Sequence, residues 1–366
     1  MDLEVNIERE CNGFLLQVSF RASHKTLGIL GPSGSGKSMT LRCIAGLEAP
    51  ARGSIVLNGR PLFDSSRGIS VPSRKRRVGF LMQDYALFPH MTVAHNIAFG
   101  LRKLPRTRVR EIVNGQLERF QLQGLEARYP RQLSGGQQQR AAMARAMAIE
   151  PEILMLDEPL SALDVHLRSQ METLLVEALS AYRGVSLYVT HNLEEAYRIS
   201  EEIVVLSQGR EVAFGPKDEI FRHSPTFTVA RVTGCKNFSR ARVSAPGFVE
   251  ALDWGCRVRV CPPIPEELEF IGVRAHHLTF TAGPGAENAF PCELVRSVEG
   301  PFRMTLFLRL IAPNAPAGHH HLQAEITREN WAALQDHPLP WLVCLPPERI
   351  MLLRKETDLQ RPDALP

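Results

Sequence analysis

No run of apolar residues in this chain reaches the ~18 to 20 needed to cross a bilayer, so work at a membrane would need another chain to supply the pore. The opening segment MDLEVNIERE has neither a basic stretch nor an apolar core, and it is not read as a signal peptide. The seven cysteines (Cys11, Cys43, Cys235, Cys256, Cys261, Cys292, Cys344) are scattered, odd in number and never spaced CxxC. That spacing argues against a disulfide framework or a zinc ribbon and favours a reducing compartment. A concentrated charge is missing as well. The net charge of +4 and pI near 8.7 are mildly basic, which does not by itself point to nucleic acid.

What is present is an ordinary globular composition, 44% hydrophobic and 22% charged, over 366 residues. That length favours two domains, each with a workable core. The first part alternates short apolar runs with helical patterns: TLGIL before a glycine loop, RVGFLMQD from Arg77, ILMLD, SLYVT and EIVVLS. Helices are expected over 39–47, 165–181 and 193–199, with a helix-rich stretch over 92–148. Such alternation predicts an α/β fold with a parallel sheet. After about Thr233 the style changes: prolines cluster, and strands such as RMTLFLRLI alternate, with Met304, Leu306, Leu308 and Leu310 on one face. Short strands with Pro and Gly turns predict a small β-barrel, and the boundary is placed at 233/234.

The glycine loop is GPSGSGKS, a P-loop pattern between a strand and a helix. Gly31, Gly34 and Gly36 let the backbone curl so that N–H groups point at phosphate oxygens, with Pro32, Ser33 and Ser35 completing the cradle. Lys37 supplies a charge to the β and γ phosphates, and the Ser38 hydroxyl is a magnesium ligand. A second apolar strand ends in Asp157 and Glu158, and a buried parallel strand delivers its last residues to the ligand crevice. Asp157 then holds magnesium through water, while Glu158 polarises the attacking water. His191 ends a further strand and reaches the same sheet edge, where it would hydrogen-bond the γ phosphate. Gln83, ending RVGFLMQ, carries no signal of its own.

LSGGQ (133–137) lies between this loop and the Asp157 strand, and SALD (161–164) follows. In order, these motifs resemble the ABC-transporter ATPase family over about residues 1–230. The resemblance implies a P-loop ABC ATPase domain (1–233) with a helical subdomain at about 86–148, then an OB-like regulatory barrel (234–366). It implies ATP and Mg2+ as cofactors, with Gln83 touching magnesium and the water. Two copies would dock head to tail, Ser134, Gly135, Gly136 and Gln137 of one capping the nucleotide held by the other, and Asp164 at the interface. It also implies transmembrane permease subunits, contacted through LFPHMTVAHNIAFGL (87–101), and a solute-binding protein acting indirectly. The chain would then sit peripherally on the cytoplasmic face of the membrane.

Two departures from the family pattern stand out. Met39 occupies the place of a usual threonine, which removes one hydroxyl that would touch phosphate, and Phe14 is the nearest aromatic for stacking on adenine but closer to the loop than usual. The stretches TGCKNFSRARV (233–243) and FIGVRAHHL (270–278) look like the C-terminal regions of molybdate or sulfate importer ATPases, so molybdate is the expected cargo and sulfate or thiosulfate the alternative. A soluble ABC protein acting on nucleic acid or ribosomes is the alternative of another class; such proteins usually carry a coiled-coil insertion or two ATPase domains in one chain. Neither is present. The basic residues Arg102, Lys103, Arg106, Arg108 and Arg110 are read as a solvated face, and His319, His320 and His321 as a solvated turn.

Overall fold

The computed structural model describes residues 1–23, 25–161, 163–281, 285–314 and 320–356. They form two compact units, Met1–Lys217 and Asp218–Pro366. Among the described residues no helix is long and apolar enough to cross a membrane.

The first unit is one eleven-stranded sheet with helices. Its strands are β1 (Leu3–Cys11), β2 (Phe14–Ala22), β3 (Thr26–Leu30), β4 (Arg52–Leu57), β5 (Arg60–Asp64), β6 (Ile69–Ser70), β7 (Val78–Leu81), β8 (Ile153–Asp157), β9 (Val185–Val189), β10 (Glu202–Ser207) and β11 (Arg210–Pro216). Their order is β6-β5-β4-β1-β2-β11-β10-β3-β9-β8-β7. The run β10-β3-β9-β8-β7 is parallel throughout. Its middle strands β3, β9 and β8 are buried at every position, as expected of mostly apolar strands covered on both faces, and the buried Thr26 and Ser186 hydroxyls bond each other (2.8 Å). At the other end β1, β2, β4 and β5 pair antiparallel. The tight β1–β2 hairpin turns through Asn12 and Gly13, both with positive φ (50° and 79°).

The helices are α1 (Lys37–Ala45), α2 (Val93–Ala98), α3 (Arg106–Arg119), α4 (Gly135–Ala148), α5 (Val165–Ser180) and α6 (Leu193–Ile199). One core packs α1 on the sheet through Ile29, Ile44, Met155 and Val189. The other joins the expected helical stretch to the sheet through Ile97, Leu117, Phe120, Met143 and Leu156. Ala162 lies outside the described residues.

The second unit is the small β domain expected downstream. Two five-stranded antiparallel sheets make it, one containing Asn237–Ala245 and Leu268–Val273, the other containing Ala289–Glu299 and Arg303–Leu310. Their inner faces share one core, and Met304, Leu306, Leu308 and Leu310 all point into it, as the alternation predicts. Buried Asn237 bonds both sheets: its amide donates to Val273 O (3.1 Å) and Gln323 O (2.9 Å). The division at Lys217/Asp218 falls before the expected 233/234 because Phe227–Val232 packs within this unit. Phe227 stacks near Phe238 and Phe270, and Ala230 is buried with Cys235 and Leu353. A helix at Arg328–Gln335, capped by Thr327, was not anticipated among these strands. His320 packs edge-on to Phe307 and His321 Nδ1 accepts the Leu310 N–H, so two of the three histidines are engaged in packing; His319 lies outside the described residues.

Candidate functional site

Parallel pairing places the C-terminal ends of β3, β9, β8 and β7 side by side. Ile29 pairs with Val189, Val189 with Asp157, and Leu156 with Leu81. The segments that follow these ends carry the P-loop, His191, Glu158 and Gln83, so one sheet edge gathers chemistry from four distant stretches of sequence.

The loop from Gly31 to Ser38 has the shape its glycines predict. Gly34 and Gly36 have φ of 77° and 100°. A Cβ at Gly31 would meet Leu206 O at 2.3 Å, and one at Gly36 would meet Leu16 at 2.5 Å. Pro32, Ser33 and Gly34 form the exposed lip, whereas Ser35 is buried with its hydroxyl oxygen unpartnered. Lys37 is buried and folds back, Nζ donating to Gly31 O (2.9 Å) and Pro32 O (2.8 Å). Burial lowers its pKa against the opposing pull of Glu158 and Asp157. An ammonium hydrogen-bonded to two carbonyls, with an orphaned hydroxyl two residues away, suits a polyanion. Met39 half-buries against the sheet core. The Thr40 hydroxyl next to it donates to Gly36 O (2.9 Å), so it is committed to the helix and does not stand in for the hydroxyl that Met39 lacks.

Ser38 Oγ–H donates to Asp157 Oδ1 at 3.1 Å. Burial pushes the Asp157 carboxyl up, Ser38 pulls it back, and the neighbouring Glu158 charge raises it further. An oxygen pair of this kind, with Asp157 buried and Ser38 half-buried beside a second carboxylate, fits a small hard cation that would relieve the desolvation. Gln83 lies exposed just beyond β7, and among the described residues no hydrogen bond or ion pair joins it to Ser38 or Asp157.

Glu158 sits in a left-handed conformation (φ 46°), unusual for a residue with a side chain. Its N–H donates to Val189 O (2.9 Å), and its own carbonyl accepts from the Ser161 hydroxyl (2.9 Å). Thus held, its carboxylate Oε2 lies 3.2 Å from His191 Nδ1. Phe14 half-buries against the same core, its ring within 3.5 Å of a Cβ built on Gly36, so it flanks the loop.

The LSGGQ stretch is a helix start. Ser134 caps α4, accepting the Gln137 N–H (3.3 Å), while Gln137 Oε1 accepts the Ser134 N–H (3.0 Å). Gly135 has open space where a Cβ would go, and Gly136 has only ordinary contact with Leu167. Among the described residues nothing demands glycine there. Among the described residues no hydrogen bond joins these residues to the P-loop. Asp164 caps α5 through the Leu167 N–H (2.9 Å).

Sequence reading missed Arg145 on α4. Its guanidinium donates to Ala86 O (2.6 Å) and Tyr85 O (3.0 Å), pinning the turn after Gln83, where Tyr85 and Ala86 both have positive φ. It also missed Arg76, which is 1% exposed and donates to Val71 O, Cys43 O and Ile44 O. A lone arginine gives no signal in sequence, and only the tertiary path of the chain reveals these roles.

The family model described as ABC transporter matches residues 15–161. The chain is 48% identical to the sulfate/thiosulfate import ATP-binding protein CysA of Synechocystis, over 54% of this chain and 55% of that protein. It is 37% identical to CysA of Burkholderia mallei, over 84% of this chain and 86% of the relative. It thus spans about half the length of the first and most of the second. Among solved structures, the ATP-binding cassette MJ0796, seen as a dimer and in a post-hydrolysis state bound to ADP and Pi, aligns with TM-score 0.51 and 27% identity, covering 59% of this chain and 99% of that one. ATP and Mg2+ are the cofactors that the loop, Lys37, Ser38 and Asp157 fit. The chain belongs to the ABC transporter family.

Proposed function

We propose that the chain hydrolyses ATP to energise an importer of sulfate or thiosulfate. The observation that carries the hydrolytic part is the Glu158–His191 contact of 3.2 Å at the edge where Lys37, Ser38 and Asp157 converge. The P-loop amides and Lys37 bind the phosphates. Ser38 and Asp157 would hold Mg2+, which would supply charge neutralisation. Gln83, from the loop after β7, would touch the metal and the water. Glu158 accepts the proton of the attacking water, and His191 orients it against the γ phosphate.

The active form is a head-to-tail homodimer. Ser134, Gly135, Gly136 and Gln137 of one copy close over the nucleotide of the other, and Asp164 lies at the junction. Support comes from glycines that the chain's own packing does not require, and from the dimeric state of the aligned cassette. Transmembrane permease subunits meet the helical stretch after Gln83, where Ala94, Ala98, Leu101, Leu104 and Val109 line a groove of about 390 Å³. The chain works at the cytoplasmic face, the β domain regulates it, and a solute-binding protein acts through the permease.

Sulfate or thiosulfate is preferred to molybdate because the CysA relatives carry that name. Uptake of labelled sulfate and of labelled molybdate is to be compared in cells carrying the native chain or Glu158→Gln. Loss of sulfate uptake alone is expected, and loss of molybdate uptake alone restores the other cargo.

A further inference from the structure

α5 and α6 face each other with charges in reciprocal order. α5 contributes Arg168 and Glu172, and α6 contributes Glu195 and Arg198. The outer pair is closed, Arg198 Nη1 lying 3.0 Å from Glu172 Oε1. In the inner pair Arg168 Nε stands 3.9 Å from Glu195 Oε1, too far for a hydrogen bond.

Glu195 is only 5% exposed, and its other oxygen accepts two hydroxyls, Tyr188 (3.1 Å) and Thr190 (2.9 Å). These belong to the strand end that carries His191. Directly after His191, the Asn192 N–H donates to the Thr190 hydroxyl oxygen (3.0 Å), and the Asn192 side chain accepts the Glu194 and Glu195 N–H groups. His191 is therefore bracketed on both sides by residues fastened to Glu195. On the other side, Arg168 donates to Leu163 O at 3.1 Å, next to Asp164.

A buried carboxylate that gathers two hydroxyls and faces an arginine is costly to keep unless its partners are fixed, so it fixes them. We propose that Glu195 and Arg168 are positioning residues that hold His191 in register with the loop carrying Asp164. The proposal rests on His191 acting at the γ phosphate.

The test is ATP turnover by the full chain carrying Glu195→Gln or Arg168→Met, each with His191 present and with His191→Ala. With His191 present, each variant should lower kcat about tenfold while KM for ATP stays within about twofold. In the His191→Ala background the same changes should cost less than about twofold, because a group acting through His191 has nothing left to position. Equal losses in both backgrounds, or no loss with His191 present, would overturn the proposal while leaving the hydrolytic site standing. If His191→Ala itself leaves kcat unchanged, the reading of His191 fails and this one with it. Thr190→Val, which removes one hydroxyl beside His191, carries the same cycle if Glu195→Gln does not fold.

Discussion

His191 Nδ1 lies 3.2 Å from Glu158 Oε2, across two neighbouring parallel strands, β9 and β8. The contact joins residues far apart in sequence because Asp157 and Val189 are paired in the sheet. Glu158 reaches it from a left-handed backbone conformation, secured by the Val189 carbonyl and the Ser161 hydroxyl. Conformational strain held in place by specific hydrogen bonds is common where a side chain must be aimed.

Glu158→Gln keeps the shape of that side chain and removes its basicity. ATP affinity is expected to stay within about twofold and kcat to fall by roughly 10²–10³, the range for loss of a general base. Nucleotide binding at equilibrium together with single-turnover hydrolysis checks this, and size-exclusion chromatography with ATP should show a persistent dimer. Rapid turnover by the variant would remove Glu158 from the role.

Gly135→Val separates folding from docking. The space around a Cβ at Gly135 is empty, so the melting temperature should move by less than about 2 °C. ATP affinity of the monomer should also hold, while turnover falls at least about tenfold because the valine keeps this helix end away from the partner's nucleotide. Thermal melts and titration of the monomer give the first two quantities. A large loss of monomer affinity would place Gly135 in its own chain's site instead.

The candidate site was legible in the sequence because local patterns mark it: glycines where the backbone must curl and carboxylates at the end of an apolar strand; away from it, Ser134 marks a helix start. The bounds of β8 and α6 follow directly from ILMLD and from the residues after His191. Other parts were not legible. β1 and β2 are each nine residues long, but their outward faces are polar and only short apolar pieces stood out. Arg76, Arg145 and Glu195 act through carbonyls and hydroxyls brought together by the fold, and no periodicity announces such partners.

Arg76 shows what such a partner contributes. Its guanidinium sits at the C-terminal end of α1, bonding Cys43 O (2.9 Å) and Ile44 O (2.8 Å), and its Nε reaches Val71 O (2.7 Å). A positive charge at that end also suits the helix dipole. Arg76→Met would strand two carbonyls, Val71 O and Ile44 O, since Cys43 O also accepts the Gly46 N–H (3.1 Å), costing about 2–4 kcal/mol. Urea unfolding should show the loss. Arg76→Lys should recover only part of it, since an ammonium cannot reproduce the planar fork. Full recovery by lysine would mean that charge alone matters there.

Glu211, on β11, makes stability depend on pH. Burial pushes its carboxyl up from 4.5 to about 7, only partly opposed by the Ser19 N–H, and one carboxyl oxygen is buried without a partner. Between these two values the folded protein keeps the proton that the unfolded chain has released. Stability is therefore greatest below about pH 4.5 for this group, falls as pH rises, and its contribution is gone above about pH 7. Glu211→Gln mimics the protonated form at every pH. The variant should match the native chain near pH 5 and exceed it at pH 8 by about 1–2 kcal/mol, allowing for partial solvation of the group. Urea unfolding of both proteins at the two pH values measures the difference. A native chain that loses nothing relative to Glu211→Gln between them would show that Glu211 ionises without penalty in the folded state.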